Sequence, residues 1–202
     1  MNRDKAKFFD EQADAPWAAP DYTAEEIEKI NWLFQHAGIG PGMRVLEPGC
    51  GTGRLTKILC RAVGSKGAVT AMDISRGMIQ KAREKLSRLQ NVSLHLCALE
   101  EMGIEPESFD LVLCFNVFPH FDQKQKALEI FHQVLAPSGR LAIFHLHPSS
   151  FINDLHRKAD TPVQNDMIPP ESELKSMLKL AGFKPLKYRD DDRFFALAVK
   201  PG

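Results

Sequence analysis

Val45-Leu46-Glu47-Pro48-Gly49-Cys50-Gly51-Thr52-Gly53 is a short apolar run that opens into three alternating glycines, and Ala71-Met72-Asp73-Ile74-Ser75 closes a second such run. A run of that length ending in Pro-Gly reads as a buried strand entering a tight turn. Glycines at such a turn accept positive φ and let the backbone approach a ligand closely. The helix that follows presents unpaired N–H groups at its start. In an open α/β sheet, ligands lie at the carboxyl ends of strands near the topological switch point. A dinucleotide fingerprint reads G-x-G-x-x-G; here the spacing is G-x-G-x-G, and Arg54 holds the sixth position. Glu47 would repel a pyrophosphate but suits an amino group, directly or through water. Asp73, 20 residues beyond Gly53, stands where a carboxylate grips two ribose hydroxyls. The ligand implied carries a ribose and an ammonium group and lacks a diphosphate.

Outward from this loop, strands and helices alternate. Met43–Glu47 reads as a strand, Gly53–Val63 as a helix stopped by Gly64, and Ala68–Ile74 as a second strand. Ser75 caps a helix whose apolar stripe is Met78, Ala82, Leu86 and Leu89. Val92–Ala98 and Phe109–Val117 are further strands, and Asp122 is expected to cap a helix that turns Ala127, Leu128, Phe131, Val134 and Leu135 inward. Pro137-Ser138-Gly139 leads into a fifth strand, Arg140–Leu146. Strands apolar throughout, joined by amphipathic helices, mean a mostly parallel sheet covered on both faces. Near the end, Pro185–Asp190 and Phe194–Val199 are separated by only three residues. No crossover helix fits there, so that pair is antiparallel.

Before the sheet, the first ~20 residues read as irregular, because Pro16 and Pro20 punctuate them. Thr23-Ala24-Glu25-Glu26 has capping-box spacing, and Ile27, Ile30, Leu33, Phe34 and Ala37 form the stripe of a helix ended by Gly38. The 202 residues are expected to form a single domain, with 1–40 as a lid and helix segment and 148–169 as an insert over the acceptor side.

Charge is balanced, 26 Lys+Arg against 26 Asp+Glu. A protein that holds nucleic acid by neutralising phosphates usually shows a basic excess, so nucleic-acid partners are disfavoured. No apolar run approaches the ~20 residues of a membrane span. Cys50, Cys60, Cys97 and Cys114 are scattered on apolar segments without a C-x-x-C pair. They read as thiols in a reducing compartment, the cytoplasm.

The blocks Glu47-Pro48-Gly49-Cys50-Gly51-Thr52-Gly53, Ala71–Ser75, Ser108-Phe109-Asp110-Leu111-Val112 and Leu135–Leu141 together resemble class I S-adenosylmethionine-dependent methyltransferases. The small enzymes similar to the ubiquinone/menaquinone C-methyltransferases are the nearest type, and the likeness runs from about residue 40 onward. The resemblance implies a Rossmann-like three-layer α/β sandwich, with a seven-stranded, mostly parallel sheet and an antiparallel last strand. It implies S-adenosyl-L-methionine as cofactor. Gly49, Gly51 and Gly53 would pass under its methionine part, Glu47 would organise the amino end, and Asp73 would take the ribose hydroxyls. Ile74 and Met78 would flank adenine, Ala98 would offer its N–H to that ring, and Asn116 would line the methionyl group. Relatives often carry an aspartate before the alanine matched by Ala98. Here Cys97 stands there, leaving Glu100 or Glu101 to substitute.

Four of the seven histidines, His120, His145, His147 and His156, follow the fourth and fifth strands. If the fifth strand runs on, His145 and His147 share a side; Pro148 turns the chain beyond His147, which favours His145 as the inward residue. His120, His145 and His156 converging would suit a general base, since imidazole titrates near neutrality. They would equally suit a divalent metal that positions the acceptor atom. Asp160 and Asp166 are acids available to support them, and Phe9, Trp17, Phe118, Phe121 and Phe151 are candidates for an apolar lid. The expected activity is methyl transfer to a small molecule by a monomer or homodimer. The alternatives are a nucleotide-dependent oxidoreductase and a non-catalytic S-adenosylmethionine-binding regulator.

Overall fold

The computed structural model describes residues 2–18, 21–159 and 161–202. Its contacts divide the chain into two compact units, Met1–Gly103 and Ile104–Gly202. Seven strands form one sheet in the order β3-β2-β1-β4-β5-β7-β6, numbered along the chain with the ranges given below.

The first unit holds α1 (Arg3–Gln12), α2 (Ala24–Ala37), β1 (Arg44–Pro48), α3 (Arg54–Val63), β2 (Ala68–Asp73), α4 (Arg76–Leu86) and β3 (Val92–Leu96), followed by a 3₁₀ turn at Leu99–Glu101. β1 pairs in parallel with β2, and β2 with β3. Val45, Leu46, Val69 and Ala71 are buried on these strands, and α3 turns Leu55, Leu59, Cys60 and Val63 inward at helical spacing. The capping box at Thr23 and Glu26 is formed, and Gly38 ends α2 in the left-handed region at φ +67°.

Several expectations for this unit fail: α4 ends at Leu86, short of Leu89, β3 ends at Leu96, short of Ala98, and the N-terminal segment is not irregular throughout. Residues 3–12 are helical, not irregular. Asn2 caps α1 by accepting from the Lys5 N–H, and Asp4 lies in its first turn. The helix has little apolar stripe of its own; it is held by docking on α4. Asp10 Oδ1 accepts from the Ser75 hydroxyl (2.7 Å) and from the Gly77 N–H (2.9 Å). Gly77 is what permits that approach, since a Cβ there would stand 3.2 Å from Ala13 Cβ.

The second unit holds β4 (Phe109–Phe115), a 3₁₀ turn at Phe118–His120, α5 (Lys124–Val134), β5 (Leu135–His145), α6 (Ser149–Lys158), α7 (Glu171–Leu180), β6 (Lys184–Asp190) and β7 (Phe194–Val199). β4 and β5 are parallel, whereas β7 runs antiparallel to both β5 and β6. The antiparallel ending therefore arises as the three-residue gap requires. Leu111, Val112, Leu113, Leu141, Ala142, Phe144, Phe194 and Phe195 make the core of these strands.

Several boundaries differ from expectation, among them the end of β4, at Phe115 and not Val117. Gln123, not Asp122, precedes α5, and no side chain caps that helix. β5 begins at Leu135, so the Pro137-Ser138-Gly139 turn lies inside it as an irregularity, with Ser138 at φ +64° and a register shift opposite Phe109–Leu111. β5 also stops at His145, so alternation along the strand does not carry to His147.

Candidate functional site

In the first unit the glycine loop joins β1 to α3. Gly49, Gly51 and Gly53 adopt φ of +68°, +55° and +76°. Gly53 needs its missing side chain twice over: beyond its left-handed φ, a Cβ there would lie 3.0 Å from Leu86 Cδ1 and 3.3 Å from Ala82 Cα. The loop is fastened to the end of β2 by Asp73. Its Oδ2 accepts from the Gly51 N–H and its Oδ1 from the Ser75 N–H, each at 2.9 Å. Burial raises the Asp73 carboxyl above its ordinary pKa; these backbone donors lower it, and Asp10 raises it further. Ser75 caps α4 through the Met78 N–H.

Glu47, at the end of β1, is buried at 3% exposure, and its Oε2 has no hydrogen-bond partner. Burial, above all, pushes this carboxyl up from 4.5 to about 8, and nearby Asp73 adds to the effect. The Thr56 hydroxyl opposes the shift, but a buried carboxylate with one oxygen left over calls for a cation or a further donor. This orphan oxygen, set beside a cradle of left-handed glycines, fits an ammonium-bearing ligand. Such a ligand would meet the buried Met78 side chain near Gly51, where a Cβ would stand 4.0 Å from Met78 Sδ. The Ala98 N–H donates to Glu101 Oε2 (3.2 Å) inside its own turn. Ile74 is half-buried after Asp73, and Cys97 is a half-buried thiol.

The N-terminal segment reaches this loop as well, which spacing alone did not reveal. The Thr52 hydroxyl donates to the Ala18 carbonyl at 2.5 Å, and Arg54 donates to the Trp17 carbonyl at 2.7 Å. Phe9 packs on a cluster of Ala13, Ala18 and Met78, while Trp17 is 54% exposed. Arg54 also lies over the Tyr22 ring, 3.9 Å from its centroid.

In the second unit, Asn116 follows β4 at φ +53°. Its N–H donates to the Phe144 carbonyl and its Oδ1 accepts from the Leu146 N–H. Phe118 is fully buried, edge-to-face with the half-buried Phe121, which in turn packs on the buried Phe131 of α5. Phe151 is half exposed on α6 beside His147.

His120, His145 and His156 do come together. His120 Nδ1 lies 2.8 Å from Asp166 Oδ2, and His156 Nδ1 meets the Asp166 main-chain carbonyl. The His120 and His156 rings are 5.0 Å apart. His145 is 2% exposed with Nε2 unpartnered. Burial, then the nearby His120, His156 and His147, pull its pKa down from 6.5 to about 3. His147 is exposed, as Pro148 foretold. Asp160 lies outside the described residues. Among the described residues no group of three His, Cys, Asp or Glu side chains is placed to hold a metal ion. His120, His145 and His156 do not form such a group; the Nδ1 atoms of His120 and His156 face Asp166.

Comparison with known proteins bears on both halves. Residues 39–182 match the model of a methyltransferase domain. The ubiquinone/menaquinone biosynthesis C-methyltransferase of Vibrio campbellii is 32% identical over 177 residues, covering 75% of this chain and 68% of that protein. The malonyl-[acyl-carrier protein] O-methyltransferase of Priestia megaterium is 36% identical over 151 residues, 75% of this chain but 51% of that protein. Among solved structures, the N-methyltransferase NodS of Bradyrhizobium japonicum, in complex with S-adenosyl-L-homocysteine, aligns with a TM-score of 0.75 at 17% identity, covering 98% of this chain and all of that one. An S-adenosylmethionine-dependent methyltransferase from Aquifex aeolicus aligns at 0.70 and 22% identity, covering 89% and 100%. With the fold, the glycine loop and a matched domain over most of its length, the chain belongs to the class I S-adenosylmethionine-dependent methyltransferases.

Proposed function

We propose that this methyltransferase acts on a small-molecule acceptor. The observation that carries the cofactor assignment is Glu47, a buried carboxylate oxygen without a partner beside three left-handed glycines. S-adenosylmethionine supplies an electrophilic methyl group on a sulfonium and needs an acceptor in line with it. Glu47 holds the ammonium end, and Gly49, Gly51 and Gly53 let the backbone come close. Asp73 accepts from the ribose hydroxyls with the lone pairs its backbone donors leave over. Ile74 and Met78 flank adenine; Ala98 serves that ring once Glu101 releases its N–H, and Asn116 lines the methionyl group. His120, His145 and His156 face the acceptor, the assignment expected beyond the carboxyl ends of β4 and β5. Much of the acceleration would come from positioning and from excluding water.

Balanced charge supports a small acceptor over a nucleic acid. No described helix is long and apolar enough to cross a membrane. Four free thiols support a reducing compartment, the cytoplasm. The chain works as one catalytic domain, as a monomer or homodimer. Calorimetric titration with S-adenosylmethionine, S-adenosylhomocysteine and NAD tests the reading. Both sulfur ligands should bind and NAD should not; binding of NAD alone would sink it. Tight cofactor binding with no transfer to any acceptor would favour a regulatory role.

A further inference from the structure

We infer that Asp166 positions His120 as the proton acceptor of the methyl transfer, and that the acceptor is an oxygen or carbon acid. This rests on the functional reading above.

Chemistry assigns the hydrogens. With Asp166 ionised, its carboxylate has no donor, and the 2.8 Å contact places the hydrogen on His120 Nδ1. The neutral ring then bears its lone pair on Nε2. The same holds for His156, whose Nδ1 faces a main-chain carbonyl of the same residue. One residue thus sets the tautomer of two rings.

The support is rigid. Asp166 is 6% exposed and its N–H bonds the Val163 carbonyl. Asn153 of α6 ties that segment in both directions, accepting from the Ile168 N–H (2.8 Å) and donating to the Ile168 carbonyl (3.1 Å). Asp190 fixes the start of α6 by accepting from the Ser149 N–H at 2.7 Å.

Electrostatics then choose among the three imidazoles. A proton on His145 would be buried among other imidazoles without a carboxylate, and one on His156 would face a neutral carbonyl. Among the described residues, it is on His120 that an arriving proton faces the Asp166 carboxylate. Titratable groups around His120 include Asp166 from the loop before α7, His156 from α6 and His145 at the end of β5. In the reaction the acceptor's O–H or C–H bond breaks and its electron pair forms the new bond to the methyl carbon. The proton goes to His120 Nε2, and the C–S pair leaves on sulfur as neutral S-adenosylhomocysteine. The imidazolium so formed is stabilised by Asp166. An amine with a free lone pair would not need this arrangement.

The test has three parts. Imidazole ¹⁵N–¹H correlation spectra of the ligand-free protein should show the Nδ1–H form for His120 and His156. Asp166→Asn should alter His120 and spare His156, whose partner is main chain. An Nε2–H form of His120 would overturn the inference with no assay of activity. Next, wild type, His120→Asn and Asp166→Asn should bind S-adenosylhomocysteine within about threefold of each other, on the scale of under 1 kcal/mol. Failure of the wild type to bind would refute the functional reading and leave the tautomer result standing. Last, with S-adenosylmethionine and a panel of phenols, enols, carbon acids and tertiary amines, transfer should favour oxygen and carbon acids. The rate should fall on the acid side of its pH profile. His120→Asn should lower kcat by ~10²–10⁴-fold and abolish that limb, and Asp166→Glu should restore part of the loss seen in Asp166→Asn. An unchanged limb in His120→Asn, transfer to amines alone, or no transfer to any panel member by a cofactor-binding wild type would overturn it.

Discussion

Replacing Glu47 by glutamine should make the ligand-free protein progressively more stable than the wild type as pH rises. The folded carboxyl titrates at about 8 against 4.5 for an ordinary glutamate, with burial as the main cause. The folded state therefore binds the proton more tightly than the unfolded chain, and stability is highest below pH 4.5. Between 4.5 and about 8 the folded state loses about 1.4 kcal/mol per pH unit relative to a residue that cannot ionise. At pH 7 this amounts to about 3 kcal/mol, and the whole window is worth at most about 5 kcal/mol. A glutamine adds a constant offset, about 1–3 kcal/mol if its amide is left unpaired, but no slope. Urea unfolding of both proteins at pH 5, 6, 7 and 8 isolates the slope from the offset. Saturating S-adenosylmethionine should flatten the wild-type curve, because an ammonium beside Glu47 restores the charged form. Parallel stability curves for the two proteins would refute the reasoning.

Gly53→Ala should cost about 2–4 kcal/mol, combining a left-handed φ with overpacking against Ala82 and Leu86. Gly103→Ala, at φ +59° in open space, should cost only about 1 kcal/mol; equal thermal shifts would remove the packing argument. His145→Phe should resist acid better than the wild type. The folded His145 pKa of about 3 lies below its usual 6.5, so wild-type stability drains as pH falls through that window; denaturation midpoints at pH 6 and pH 4 that shift equally in both would contradict it. Asp10→Ala should release α1 by about 1–2 kcal/mol, through the lost bonds to Ser75 and Gly77. Amide exchange across residues 3–12 reads this directly, and unchanged protection would count against the docking.

The parts legible in the sequence were those whose cause is local. Three glycines at alternate positions, Ser75 ahead of Met78, and Thr23 with Glu26 each specify their own backbone geometry. The three-residue gap before Phe194 forces an antiparallel pair. The parts that were missed have tertiary causes. Helix α1 carries its docking group, Asp10, 65 residues from Ser75, and its own composition gives no stripe to read. Pro148 separated His145 from His147 correctly, because a proline turn is a local signal. By contrast, Asp166 meets His120 across 46 residues, through a loop whose course no periodicity describes. Proximity in sequence made Asp166 a candidate; which atoms it engages is visible only in the fold.

The division of the chain after Gly103 bears on how such proteins diverge. The named bonds that hold Gly51, Asp73, Ser75 and Asp10 all close within residues 1–103. Those that hold His120, Asp166, His156 and Asn153 all close within residues 104–202. No residue of one set appears among the bonds of the other. A gene duplicate could retune the histidine half for a new acceptor while inheriting an undamaged glycine loop. Chimeras joined at the 103/104 boundary would inherit the histidines and Asp166 together from the second parent, a heritable cassette rather than a scatter of point changes.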